Sequence, residues 1–170
     1  PKTPTKGGTT FTQVSAGGGL FGGYTCGISS QGAIECFGSD RYGQSNGGAP
    51  KMPTKGTFTQ VSVGGAGGGL FHGHTCGLTS TGAIECFGDD GYHQSNKYKP
   101  KTPTKGNFTQ VSAGGGVFGH TCGVTSTGAI ECFGSDYDGR TNGGAPKTPT
   151  KGGTTFTQVS AGGGLFGGYT

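Results

Sequence analysis

The feature that most constrains this chain is its internal repetition. Aligned on the phrase FTQVS, the sequence divides into units of 49, 50 and 46 residues at positions 1–49, 50–99 and 100–145, followed by a shorter fourth unit at 146–170. Each complete unit contains, in the same order, a Pro- and Lys-rich connector, FTQVS, a glycine-rich run, TCGxxSxGAIECFG and a polar tail. A period of this length is typical of solenoids and propellers, in which each unit buries its faces against its neighbours.

A second, longer period is superimposed on the first. Residues 146–170 repeat residues 1–25 letter for letter, although units 1, 2 and 3 differ from one another at many positions. The sequence therefore restarts after 145 residues. We interpret the chain as a window of a long tandem array built from three-unit blocks, the alternative being a four-unit protein with a partial duplication.

Composition narrows the class of protein. Glycine contributes 42 of 170 residues, and apolar and charged residues only 28% and 12%. An ordinary globular domain is nearly half apolar and about a quarter charged, so an ordinary enzyme domain is not expected. The sequence also lacks an apolar run near the roughly 20 residues that cross a bilayer, and we expect no membrane insertion.

The best-specified local element is a β-hairpin that carries two cysteines in each unit. Its three-residue loop needs a positive φ at the third position, which Gly32, Gly82 and Gly128 supply. Folding on this loop places the cysteines of a unit opposite each other, within the distance that a disulfide spans. The predicted bridges are Cys26 to Cys36, Cys76 to Cys86, and Cys122 to Cys132. One disulfide per unit predicts an oxidising compartment, either extracellular or at the cell surface.

The remaining segments also favour β-structure. FTQVS alternates Phe11, Gln13 and Ser15 against Thr12 and Val14, a period of two with high β propensity. The glycine-rich run is predicted to contain a further short strand and to let stacked sheets approach closely. We therefore predict an all-β chain of tandem antiparallel sheets, about 48 residues per unit, which forms an open solenoid-like array or a segment of a β-propeller.

The order of these motifs resembles a known family. FTQVSAGGG, GHTCGVTSTGAIECFGSD and YGQSN are similar to the repeats of the regulator of chromosome condensation family. In that family a strand ending in VxAG leads to HT, a strand, a glycine turn, a strand ending in WG and a GQ tail. The resemblance implies propeller blades of four-stranded antiparallel sheets, and in particular the secreted bacterial versions with a cysteine pair per repeat. It does not imply nucleotide-exchange activity, because no residues match the partner-binding loops.

No recurring set of residues points to catalysis. Histidine is absent from unit 1, and no Ser, His and Asp constellation can be assembled, so we expect neither an enzyme nor a cofactor. A zinc alternative would use His72 and His74 with Cys76 and Cys86, but the other units do not repeat this ligand set. We expect no metal site there.

A calcium-like loop in unit 3 fails by the same criterion. Asp136, Asp138 and Asn142 have the oxygen-rich spacing of a calcium site, yet units 1 and 2 do not keep it. The favoured interpretation is a polar turn, in which the Asp and Asn side chains form hydrogen bonds with nearby backbone groups.

The connectors carry lysine, threonine and proline. Their lysines, in a chain of net charge +4, lack the arginine and interleaved aromatics of nucleic-acid binders, so no nucleic acid is expected as partner. Threonines beside proline in a secreted chain are candidate O-glycan acceptors. These candidates are Thr3, Thr5, Thr148 and Thr150.

Together these features predict a structural protein: a disulfide-stapled tandem β-repeat that self-associates into an extracellular fibre, sheath or surface appendage. The alternative is a β-propeller binding module on the cell surface that recognises a protein or a glycan through its loops.

Overall fold

A computed structural model of the chain describes residues 10–19, 22–45, 47, 56–65, 73–94, 107–136, 139, 141 and 155–163. In this part of the chain the strands form three antiparallel sheets, each of three strands adjacent in chain order. The sheets are β1 (Phe11–Gly19), β2 (Gly22–Ser29) and β3 (Ile34–Gly38); β4 (Phe58–Gly64), β5 (His74–Thr79) and β6 (Ile84–Gly88); and β7 (Phe108–Gly114), β8 (His120–Thr125) and β9 (Ile130–Gly134). The prediction of an all-β chain of tandem antiparallel sheets is confirmed. Within the described residues, no helix could span a membrane.

The second and third strands of each sheet form the predicted hairpin. Gly32 has a φ of +80°, and the amide of Ser29 donates to the carbonyl of Ala33 at 2.8 Å to close the loop. Gly82 and Gly128 take the same conformation, with φ of +81° and +78°. The Ser-x-Gly loop therefore fixes the same register in all three sheets.

A disulfide joins the opposed cysteines of each hairpin. The bonds are Cys26 to Cys36, Cys76 to Cys86, and Cys122 to Cys132, with Cα atoms 4.0 to 4.1 Å apart. The first cysteine of each pair is completely buried. Three such bonds are consistent with an oxidising extracellular environment.

The glycine-rich run differs from its prediction in unit 3, where residues 115–119 form no separate strand and the sheet has three strands rather than four. The corresponding residues 20–21 of unit 1 and 66–72 of unit 2 lie outside the described residues. Gly17, Gly18 and Gly19 of β1 pair with Tyr24, Gly23 and Gly22 of β2. In unit 1 the ends of the run thus extend the two strands on either side of it.

FTQVS departs from strict alternation at its start. The register between β4 and β5 shifts between Phe58 and Gln60, which is a β-bulge. Because a bulge places two residues opposite one, Phe58 and Val61 are both 3% exposed and lie in one cluster. The Phe58 ring covers Gly77, where an added Cβ would lie 2.6 Å from the ring.

The hydrophobic core lies between the units rather than inside them. Side chains of β2 and β3 cluster with Phe58, Val61 and Val63 of β4. The second cluster combines the β5 and β6 sheet with the β7 to β9 sheet, and the third combines β8 with Val159 of the fourth unit. Each unit consequently depends on its neighbour for burial, as in other repeat architectures.

Candidate functional site: the interface between units

The most regular feature of the molecule is a set of side chains that reach from one unit to the backbone of the next. Gln13 Oε1 accepts a hydrogen bond from the Val61 amide at 2.7 Å, and Ser15 Oγ accepts one from the Val63 amide at 3.1 Å. Two further sets repeat this pair of contacts. Gln60 and Ser62 accept from the amides of Val111 and Ala113, and Gln110 and Ser112 accept from those of Val159 and Ala161.

These contacts satisfy the amides of edge strands. β4 and β7 each lie at the edge of their sheet, so the amides on the outer side have no strand partner in that sheet. An exposed row of such amides is a template for unwanted pairing. The Gln and Ser side chains of the preceding unit occupy it instead.

A backbone contact extends this interface to the hairpin loops. The amides of Phe58, Phe108 and Phe156 each donate to a loop glycine carbonyl of the preceding unit, at 2.8 to 2.9 Å. The acceptors are Gly32, Gly82 and Gly128. The loop that sets the disulfide register therefore also positions the following unit.

Glycines make the closest approach between units. A Cβ on Gly65 would lie 2.9 Å from the amide nitrogen of Gly18. A Cβ on Gly115 would overlap the carbonyl oxygen of Gly65, and one on Gly163 would overlap that of Gly115. The backbones of four successive units thus stack where a side chain could not fit, as the glycine-rich run predicted.

A buried polar chain crosses the interface beneath the glycines. The Tyr24 hydroxyl donates to the carbonyl of His74 at 2.6 Å. His74 Nε2 lies 2.8 Å from Thr121 Oγ1, which itself donates to the carbonyl of Gln94 at 3.0 Å. Because the Thr121 hydrogen is used on that carbonyl, the His74 Nε2–H is the donor in the remaining contact.

Burial sets the ionisation of these two side chains. It raises the pKa of the Tyr24 phenol well above its ordinary value. Burial, together with the nearby His120, lowers the pKa of His74 to about 4, against weaker opposing effects of Asp89 and Asp90. Both groups are therefore neutral at physiological pH.

The polar tail of each unit folds over the next one. Gln44 Oε1 accepts from the Tyr42 amide at 2.8 Å and so orders its own turn. The main-chain carbonyl of Gln44 accepts a hydrogen bond from Thr75 Oγ1 of the following unit at 2.8 Å. The equivalent Thr121 to Gln94 bond repeats this contact one unit later, so the GQ or HQ of the tail is part of the interface.

The first unit presents its outer edge to solvent. Val14 is 69% exposed, whereas the valines at the same position of the next three units are 3%, 2% and 6% exposed. Those valines are Val61, Val111 and Val159. The face that the other units cover is therefore open on β1 in the described structure.

The two metal alternatives gain no support from the contacts. Cys76 and Cys86 are joined to each other, which leaves no thiolate for zinc, and His74 bonds to a threonine. Asp136 Oδ1 accepts from the amide and hydroxyl of Thr141 at 2.8 and 2.7 Å, the geometry of a polar turn. Among the described residues, no group of three or more His, Cys, Asp or Glu could hold a metal ion.

Several predicted residues lie outside the described residues. They are His72, Asp138, Asn142 and the candidate glycan acceptors Thr3, Thr5, Thr148 and Thr150. Conversely, Gln13 and Ser15 lie at the interface although no sequence motif predicted a role for them there. The signal that could have identified them is their recurrence, since all four copies of FTQVS keep both the Gln and the Ser.

The comparisons with known proteins give the architecture. No protein-family model and no curated protein matches this chain. Human WBSCR16 superposes with a TM-score of 0.59 at 16% identity over 94% of this chain and 44% of its own. The ectodomain of the Physcomitrella patens receptor kinase CR4 gives 0.57 at 18% identity over 95% of this chain and 38% of its own.

A third similar structure is Prp20p, the yeast RCC1, from Saccharomyces cerevisiae, studied for its binding to Gsp1p and histones. It superposes with a TM-score of 0.55 at 14% identity, covering 84% of this chain and 40% of its own. The chain thus spans less than half the length of each of these structures. The described units therefore have the fold of consecutive blades of an RCC1-like β-propeller.

Proposed function

We propose that this chain is a structural repeat protein whose disulfide-stapled blades stack into an extracellular fibre, sheath or surface appendage. The observation that carries the proposal is the repetition of one interface. The Gln and Ser acceptors join unit 1 to 2, unit 2 to 3 and unit 3 to the fourth through equivalent atoms.

The interface is directional, which suits propagation. One face of a unit offers side-chain acceptors, and the opposite face offers edge amides and a valine. Contacts between unlike faces generate a ring if the rotation closes and an open array if it does not. The restart of the sequence after 145 residues favours the open array, because it supplies further units in the same order.

The remaining properties fit a load-bearing role. Each hairpin is closed by its own disulfide, and the contacts between units use backbone groups together with the same few side chains. Such an assembly needs no catalytic group, cofactor or metal ion, and we propose that the protein is not an enzyme.

A second candidate is a binding module on a cell surface, favoured by exposed aromatic side chains in the tails. Tyr42 and Tyr92 are 36% and 37% exposed, and Tyr92 meets Phe118 of the next unit edge to face, with ring centroids 5.1 Å apart. Exposed tyrosines suit contact with a protein or a sugar ring. Prp20p, with its described binding to Gsp1p and histones, and the CR4 ectodomain are similar structures.

Electron microscopy of the native parent protein in non-reducing buffer separates the two candidates. The structural role predicts continuous filaments with an axial repeat traceable to three units. Discrete rings of six or seven blades would overturn it and favour the binding module. Peptide mass spectrometry of the same material tests the glycan proposal, which fails if Thr3, Thr5, Thr148 and Thr150 are unmodified.

A further inference from the structure

The open edge of β1 and the covered strand of the fourth unit have the same sequence. Residues 10–19 and 155–164 both read TFTQVSAGGG. In the described part of the second segment, 155–163, Val159 is 6% exposed, while its counterpart Val14 is 69% exposed. One copy of the sequence is therefore seated on a neighbour, and the other is not.

The seat, which is the surface that residues 155–163 cover, is a face of unit 3. Gln110 Oε1 accepts from the Val159 amide at 2.5 Å, and Ser112 Oγ accepts from the Ala161 amide at 2.9 Å. The Phe156 amide donates to the carbonyl of Gly128 at 2.9 Å. Each of these groups has a chemically identical counterpart in β1.

We propose that β1 is the docking site for the unit 3 face of a second copy of this chain, in the place that residues 155–163 occupy in the first. The proposal rests on the proposed function and names its junction: the end of one three-unit block binds the beginning of the next through Gln110 and Ser112.

A whole blade would add contacts that the segment 155–163 does not supply. Thr75 and Thr121 are completely buried beneath the tail of the preceding unit, and each donates to a tail carbonyl. Thr25 is their counterpart in unit 1 and is only half-buried. Docking on a second copy would place Thr25 at the tail of unit 3, as Thr75 and Thr121 lie at the tails of units 1 and 2.

The apolar surface supports the same arrangement. Val124 and Cys122 of unit 3 form a buried cluster with Val159, against which Phe156 packs. β1 offers Val14 and Phe11 at the equivalent positions. On docking, Val14 and Phe11 of the second copy would replace Val159 and Phe156 against unit 3. They belong to a sheet held by the Cys26 to Cys36 disulfide.

The test uses the full chain with one substitution. Val159→Asp puts a carboxylate into the buried seat, releases the segment and leaves the unit 3 face accessible. We expect light scattering on a sizing column to give a weight-average mass roughly twofold or more above that of the unchanged chain, because a contact between unlike faces propagates. The double variant Val14→Asp with Val159→Asp, which also blocks β1, should return to the mass of a single chain.

A peptide gives an independent readout. The synthetic peptide TFTQVSAGGG should dissociate the Val159→Asp oligomers, and the same peptide with aspartate in place of valine should not. Circular dichroism and a titration of free thiols establish that the variants keep their sheets and disulfides. A folded Val159→Asp chain of unchanged mass, or a double variant that oligomerises equally, would overturn the junction. That result would leave the fibre proposal standing if the native protein forms filaments, whereas native rings would overturn the fibre even with a working junction.

Discussion

Removing the Cys76 to Cys86 disulfide should lower the free energy of unfolding by an amount that can be calculated from the loop it closes. Cys76 and Cys86 are separated by 10 residues in the sequence. The chain-entropy relation for a loop of about ten residues gives roughly 2.7 kcal/mol at 25 °C for the constraint that the bridge places on the unfolded chain. Replacing both residues by alanine should lower the free energy of unfolding by at least that amount.

Packing adds to this loss. Cys76 is completely buried and belongs to the cluster between units 2 and 3, with Cys86 packed against it. Its sulfur also lies 3.4 Å from Thr121 Oγ1. Alanine leaves the sulfur volume empty, which costs on the order of 1 kcal/mol more, so the expected total is about 3 to 4 kcal/mol.

Guanidinium unfolding followed by circular dichroism in non-reducing buffer measures this loss. The matched control is the Cys26→Ala with Cys36→Ala variant, whose loop has the same length and should therefore show the same entropic loss. A decrease below about 1 kcal/mol in both variants would refute the reasoning from loop length. A loss in only one of them would show that the local packing, and not the loop, sets the stabilisation.

Three further outcomes test the interface. Gly115→Ala forces a methyl group onto the neighbouring backbone and should lower the free energy of unfolding, measured by calorimetry, by roughly 1 to 3 kcal/mol. The control is Gly18→Ala, where the added methyl lies 3.7 Å from the nearest heavy atom and the loss should be less than about 0.5 kcal/mol. Gln60→Ala leaves the Val111 amide without its acceptor and should lower the unfolding midpoint by the equivalent of roughly 1 to 3 kcal/mol. An unchanged midpoint would contradict this contact. Because the pKa of His74 is lowered to about 4 in the fold, its neutral form stabilises the fold fully above about pH 6.5, and the free energy of unfolding falls by up to about 3 kcal/mol towards pH 4. If His74→Gln leaves the dependence of the free energy of unfolding on pH unchanged, His74 is not its cause.

The hairpins were predictable because everything that specifies them is local. A Ser-x-Gly loop and two cysteines at fixed distances from it determine the register without reference to the rest of the chain. The all-β class and the stacking role of the glycine-rich run followed from residue types and spacing in the same way. The resemblance of the repeats to the chromosome condensation family agrees with the RCC1-like architecture.

The contacts between units were harder to foresee. Gln13 and Ser15 alternate with Thr12, Val14 and Ala16, a pattern equally typical of a strand with one face exposed to water. Their acceptors bind main-chain amides, which carry no sequence signature in the partner. The bulge at Phe58 was missed for a related reason: its benefit arises where the ring covers Gly77, a residue of another strand.

The stacked glycines also bear on how such a chain can change over generations. Neighbouring units meet there through peptide groups, which are the same in every unit whatever its side chains. A recombination event that inserts or deletes one whole unit would create a junction already supplied with this contact, without compensating substitutions. Gene length could then vary by whole units while the spacing between adjacent blades stays constant.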